Sequence, residues 1–531
     1  VTSSSSISLP ASPQLQLPLD DFAIRQAPGI PRRERVFCNR HLRMSGIAWV
    51  GFDMDYTLAI YDQPAMDELS IRATVNKLVL RGYPDFIVRI PQSTDFPVRG
   101  LLIDKRFGHV LKMDRYKHVC KGYHGFRELS KDELRQLYHA KKIRPATPRY
   151  HWIDTLYALS EVALYAALVD ALEKNGYAVD YARVFSDIRE SIDEAHRDGT
   201  ILDAVTSDLP RFVKRDPMLA ATLHKLRSAG KKLFLLTNSR GEYTERMMTY
   251  LLGGSMPEYP TWRNFFDVVI VAATKPAFFQ ERRPLLERDA HGTGALRPAS
   301  FPLERGRAYE GGNLQDLERA LGVTGDQILY VGDHIYGDIL RSKKESAWRT
   351  AMIMQELEQE VFAYETCKRD LDRAERLEEE REKLEDELRF FQTRFKDVSR
   401  HLEPRSNGTS GRTSSPQLLS SPSLAASTPA ELEAERARVK RAVERVRGRL
   451  RQVDAELTSL ERKTDDTFHP FWGSLLKEGN EQSSFGAQVE EYACLYTSKV
   501  SNLLHYSPQQ FFRSPRDVMA HEIGIDEEAG R

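Results

Sequence analysis

Four short apolar runs, residues 47–52, Lys232–Leu236, Val268–Val271 and 327–331, are separated by stretches of helical periodicity. A strand that is apolar along its whole length must be buried on both faces, and a parallel sheet covered by crossover helices is the usual way to achieve that. The chain is therefore expected to be an α/β protein. Ligands of such sheets bind at the carboxyl ends of the strands, so the residues that end each run carry the functional information.

The stretch between the first two runs, about 61–226, is far too long for one crossover and is expected to form an inserted cap over the carboxyl edge. Within it, 154–174 reads as an apolar helix, and 181–198 as a helix with Arg189, Asp193 and His196 on one charged face. The core would then comprise 34–60 and 227–355. Charge density rises over 356–403, and a second charged helix, 429–462, follows a Ser/Pro/Thr/Gly-rich linker at 406–428. An antiparallel hairpin of coiled-coil type over 356–467 is the expected result, a solvated arm suited to a protein partner. The aromatic character of 468–512 returns the chain to the core, in a segment extending to 522.

Composition narrows the function classes. The 77 Lys and Arg residues balance 77 Asp and Glu, so no global field favours nucleic acid or an anionic membrane. Cys38, Cys120, Cys367 and Cys494 are widely spaced without a CxxC pair, which argues against a zinc site or a disulfide framework. No apolar stretch approaches the roughly 20 residues of a membrane span. Residues 1–33 are rich in Ser, Pro and Leu, lack the order of a secretory signal, and are expected to be a disordered tail, with a cytoplasmic location as the default.

The first run ends in Asp53-Met54-Asp55-Tyr56-Thr57, whose alternate spacing sends both carboxylates to one side of the chain. Such a pattern arises by chance on the order of once in several chains of this length. The other strand ends supply the context. Thr237, Asn238 and Ser239 offer hydroxyls and an amide after the second run, Lys275 follows the third, and Asp333 and Asp338 follow the fourth. Any one of these acids could instead cap a helix, and Asp338 is the residue for which that reading is strongest.

This ordered set resembles the haloacid dehalogenase superfamily of phosphatases. The resemblance implies a Rossmann-like core in which Asp53 is the nucleophile and Asp55 the general acid and base. It further implies that Mg2+ is held by Asp53, the Asp55 carbonyl and Asp333. Thr237 and Asn238, with Ser239 beside them, would bind phosphoryl oxygens, Lys275 would neutralise charge, and Asp338 would position Lys275 or complete the outer shell of the metal.

A narrower likeness rests on 36–40, 52–58, 94–100, Lys343-Lys344, Trp348-Arg349-Thr350 and 471–475. These segments are similar to the cytosolic purine 5'-nucleotidase family, which hydrolyses IMP and GMP. On that resemblance Tyr157, replacing a phenylalanine, and His196 would stack on the purine while Arg189 and Asp193 read its edge. Leu202 and Arg197 depart from the lysine and tyrosine of the family pattern. The family also transfers phosphate to nucleosides, forms homo-oligomers and responds to nucleotides at a second site, matched here by Arg144, Asp154, Tyr336, Lys344, Gln488 and Tyr492. Asp154 replaces an asparagine, and its carboxylate is expected to repel effector phosphates. Two other readings stay open: a phosphatase of another small phosphomonoester, and a nucleotide-responsive scaffold acting through the helical arm.

Overall fold

The computed structural model describes residues 29–91, 93–139, 143–287, 296–402 and 428–515. Residues 1–28 of the expected disordered tail and 406–427 of the expected linker lie outside these residues, whereas Arg32–Glu34, at the tail's end, form a short 3-10 helix. Ten strands form the main sheet: β1 (Phe37–Cys38), β2 (Trp49–Phe52), β3 (Lys232–Leu236), β4 (Val268–Val271), β5 (Leu285–Glu287), β6 (Arg297–Pro298), β7 (Ala308–Gly311), β8 (Ile328–Gly332), β9 (Arg349–Ile353) and β10 (Leu495–Thr497). Their spatial order is β1-β10-β9-β8-β2-β3-β4-β7-β5-β6. From β10 to β7 every pairing is parallel, and antiparallel strands close both edges. The α/β fold with a parallel sheet and helices is as expected from the four apolar runs.

Alternation within those runs divides the core into two layers. Val50, Phe52, Leu233, Leu235, Val269, Val271, Leu329 and Val331 enter one apolar cluster. Trp49, Phe234, Leu236, Val268, Ile270, Ile328 and Tyr330 enter another, which is the period-two geometry of strands buried on both faces. Gly51 lies directly under the Phe234 ring, where an added Cβ would come within 2.0 Å of the ring. Gly51→Ala is expected to lower stability by about 1–3 kcal/mol through overpacking, measurable as a reduced midpoint in urea denaturation.

The chain leaves the core through Ile60–Tyr61 and returns through Val213–Lys214, which pair antiparallel. Between them lie α1 (Gln63–Leu80), a five-stranded antiparallel sheet, α2 (Leu159–Lys174) and α3 (Tyr181–Arg197). Asp62 caps α1 and Asp180 caps α3, each accepting from a backbone N–H of the first turn. Val184, Phe185, Ile188 and Ile192 form the buried face of α3, and Lys77 of α1 and Arg81, just past its end, pair with Glu190, Glu194 and Asp198 beside it.

Two long helices, α4 (Leu357–Leu402) and α5 (Pro429–Phe468), separate β9 from β10. The 46 residues of α4 span about 70 Å at 1.5 Å per residue. Arg373–Glu456, Glu380–Arg449 and Arg394–Glu435 pair in descending order, so the helices are antiparallel, with Leu377, Val453 and Leu457 in their seam. After α5 the chain packs against both cap and core. Trp472 donates its indole N–H to the Phe96 carbonyl at 2.7 Å, and the buried Lys112 ammonium donates to the carbonyls of Trp472, Ser474 and Lys477. No helix among the described residues is long and apolar enough to cross a membrane.

Candidate active site

Strand β2 places Asp53 immediately past the sheet edge, with its N–H donating to the Val331 carbonyl of β8 at 2.9 Å. Its Oδ1 accepts from the Met54 N–H at 2.8 Å and lies 2.9 Å from Lys275 Nζ. The same ammonium lies 2.6 Å from Asp338 Oδ1 and donates to the Tyr330 hydroxyl at 2.8 Å. The three N–H donors of Lys275 therefore meet three acceptors. Burial alone would lower the pKa of this lysine, but Asp338 and Asp53 outweigh it and the net direction is upward.

Local backbone geometry brings Lys275 to this point. Ala272 and Thr274 occupy the left-handed region at φ 47° and 57°, uncommon for residues with a Cβ. Asn238 holds the loop: its Oδ1 accepts the Lys275 N–H at 2.5 Å, and its Nδ2 donates to the Lys275 carbonyl at 3.0 Å. Both ends of the Asn238 carboxamide thus engage the lysine backbone, which leaves one Nδ2 hydrogen for a further acceptor.

Asp55 sits in a different environment. Its Oδ1 accepts from the Tyr61 hydroxyl at 2.6 Å, and its Oδ2 accepts from the Ser239 hydroxyl at 2.6 Å. Tyr61 also meets the Tyr243 hydroxyl at 2.8 Å, while Thr237 Oγ1 accepts the Ser239 N–H at 3.1 Å. Burial raises the pKa of Asp55, and the Ser239 and Tyr61 hydrogen bonds partly oppose the rise. Burial raises Asp53 more strongly, against Lys275 and with help from the neighbouring acids.

Asp333 follows β8, and its carboxylate lies with those of Asp53 and Asp338 in a buried group whose nearest oxygens are within 4.8 Å of one another. Burial, reinforced by Asp338, raises Asp333 to about 7. Gly332 makes the approach of Asp338 possible, since a Cβ there would come within 2.6 Å of the Asp338 side chain. Asp338 lies inside the short π-helix Ile335–Leu340, so it is not a helix cap.

Residues 36–524 match the model of the 5' nucleotidase family. The chain belongs to that family. It is 27% identical over 503 residues to a 5'-nucleotidase domain-containing protein of Dictyostelium discoideum, across 92% of this chain and 75% of the relative. To 5'-nucleotidase domain-containing protein 2 of Rattus norvegicus and of Homo sapiens it is 31% and 30% identical over 338 residues, or 61% of this chain. It spans 60% and 64% of those two proteins' own lengths.

In this 5' nucleotidase family member an aromatic wall adjoins Asp55. Tyr56 is buried at φ 56°, with its ring 4.8 Å from Tyr61 and 4.7 Å from Tyr157. Tyr157 meets His196 edge to face, at 6.1 Å and 83°. Burial lowers the pKa of His196 and favours its neutral ring. The two rings form a corner and not the parallel slot implied by stacking from both sides. Arg189 Nη1 contacts His151 at 2.8 Å and Glu161 at 3.3 Å, while Asp193 stands exposed on the same helix.

The residues matched to an effector site are distributed over several elements. The π-helix Ile335–Leu340 packs on the helix Ser484–Tyr492. There Lys344 lies over the Tyr492 ring, Arg341 lies over Tyr336, and Gln488 Oε1 is buried without a hydrogen-bond partner. Arg144 is exposed. Asp154 Oδ2 lies 3.2 Å from His334 Nε2.

Arg99, Glu356, Tyr61, Tyr243 and Tyr330 are site residues that the motifs did not single out. Arg99 lies within the segment 94–100 that carried the family likeness, which was the available signal for it. The tyrosines have no motif spacing to mark them.

Proposed function

We propose that the chain is a Mg2+-dependent 5'-nucleotidase that hydrolyses purine nucleoside 5'-monophosphates, of the IMP and GMP type, through an aspartyl-phosphate on Asp53. The observation that carries this reading is the contrast between two aspartates two positions apart. Asp53 faces Lys275 and two further acids, whereas Asp55 is held by two hydroxyls. A carboxylate fixed beside an ammonium suits nucleophilic attack, and one held by two hydroxyls suits proton donation and return.

The donor set fits a hard divalent cation. Asp53, Asp333 and Asp338 supply closely grouped oxygens, and Lys275 is the ammonium directly paired with two of them. Asp53 and Asp333, with the Asp55 carbonyl, would hold the ion, and Asp338 would stay on Lys275. When bound, the cation supplies charge neutralisation that permits an anionic carboxylate to meet an anionic phosphate.

Asp53 Oδ attacks phosphorus, and the bond to the nucleoside O5' breaks. Asp55 transfers its proton to that oxygen. It then takes a proton from the water that attacks the acyl-phosphate, releasing inorganic phosphate and restoring Asp53. Tyr61 and Ser239 keep the Asp55 carboxylate oriented through both transfers, and Asn238 keeps Lys275 beside Asp53. The Tyr157 and His196 corner offers one ring face to a base and the edge of the other.

Phosphate release across a panel of nucleoside monophosphates, with and without Mg2+, tests this reading. Purine substrates are expected to exceed pyrimidines by about tenfold or more in kcat/KM, with activity lost on removing the metal. Pyrimidine preference would overturn the base assignment, and turnover of simple phosphomonoesters in preference to nucleotides would overturn the substrate class.

A further inference from the structure

Arg99 is buried, at 1% exposure, where four parts of the chain meet. It belongs to the cap segment that precedes the first strand of the antiparallel sheet. Its Nη1 donates to the backbone carbonyl of Asp333 at 2.8 Å. Its Nε and Nη2 donate to the two carboxylate oxygens of Glu356, each at 2.7 Å. The face of the guanidinium lies 5.2 Å from the Phe485 ring centroid.

Each contact has a distinct consequence. Glu356 immediately precedes α4, and the fork-to-fork pair fixes the plane of the guanidinium as a lysine could not. That plane aims Nη1 at the Asp333 carbonyl and so fixes the peptide from which the Asp333 carboxylate projects toward Asp53 and Asp338. The next residue, His334, has its Nε2 3.2 Å from the Asp154 carboxylate of the inserted segment. The root of the arm is itself anchored one turn further on. There Glu360 accepts from the N–H of Leu475 at 3.1 Å, and Glu358 accepts from the Ser498 hydroxyl at 3.1 Å.

We infer that Arg99 and Glu356 are positioning residues that orient Asp333 for the divalent cation, joining the root of the helical arm to the catalytic edge. The inference rests on the metal-dependent reading above. Neither side chain touches the phosphate-facing groups, so their effect passes through the Asp333 peptide. Outer partners of metal ligands commonly change affinity by roughly 10- to 100-fold, and a contact through the backbone belongs at the lower end of that range.

The test uses Glu356→Gln and Arg99→Lys in the full chain, with Mn2+ binding measured by calorimetry and the Mg2+ dependence of phosphate release measured in parallel. Glu356→Gln keeps the shape of the side chain but removes the charge of the fork, and Mn2+ affinity is expected to fall about tenfold. The half-saturating Mg2+ concentration should rise by a similar factor, while kcat at saturating metal changes by less than about threefold. Arg99→Lys, which can reach one partner but not reproduce the planar fork, should weaken Mn2+ at least as much. Should Arg99→Lys not fold, Glu356→Gln alone decides. A folded Glu356→Gln protein with unchanged Mn2+ affinity, even one of reduced melting temperature, would overturn the inference. An unmodified protein that binds no Mn2+ and turns over without Mg2+ would instead overturn the metal reading beneath it.

Discussion

Replacing Asp53 with Asn is expected to reduce phosphate release by on the order of a thousandfold or more, since the amide is the wrong nucleophile and no neighbouring carboxylate has the same line of attack. The fold should survive the change. Asn keeps the shape of the side chain and can still receive the Met54 N–H and a Lys275 N–H. It also removes one of several crowded acids, and burial already disfavours the charged form of this group. Thermal denaturation alongside the phosphate assay separates the two effects. Turnover within about tenfold of the unmodified protein, with the melting temperature unchanged, would remove Asp53 from the role of nucleophile.

Lys275→Met should do more damage to the protein itself. The substitution keeps a long apolar stem but leaves Asp53 and Asp338 facing each other without their ammonium, and breaking a buried charge pair commonly costs about 3–5 kcal/mol. Its pH dependence carries the sharper signature. Asp53 has a folded pKa above its ordinary value, and Asp333 is raised to about 7. The folded state therefore holds more protons than the unfolded one between about pH 4 and 7, and without metal its stability falls as pH rises through that window. Without Lys275 the folded pKa of Asp53 rises further, so the fall steepens. The variant should approach the unmodified protein near pH 4 and diverge from it toward neutrality. Urea denaturation of both metal-free proteins at several pH values checks this, and a constant difference across the range would contradict it.

The sheet was legible where its strands are uniformly apolar. Lys232–Leu236 and Val268–Val271 were marked residue for residue, and β2 and β8 to within two. Strands β7, β9 and β10 were not marked. β10 has only three residues, and β9 begins with Arg349 while β7 includes Glu310, so neither of those gives an unbroken apolar run. At the site, Asp53, Lys275, Asp333 and Asp338 announced themselves because each ends or follows a buried strand. Asn238 was marked by position, but its hold on the Lys275 backbone was not. Only the three-dimensional loop reveals that both ends of its carboxamide meet the backbone of Lys275. Arg99 and Glu356 are 257 positions apart, and no local periodicity links two residues that meet only after cap, core and arm have folded.

Strand β1 makes its ladder contacts with β10 alone, and the Asn39 and Arg40 N–H groups donate to the carbonyl of Cys494 beside it. Leu42 and Arg43 likewise pair with Phe512 and Phe511. On a ribosome, residues 37–43 emerge long before their partners, and more than four hundred positions of chain must follow before they can be covered. Such long-range closure is slow, and it leaves an unpaired edge open to the wrong neighbour in the interval. The step most exposed to chaperone dependence during synthesis is thus the last stitch of the sheet, far from the chemistry.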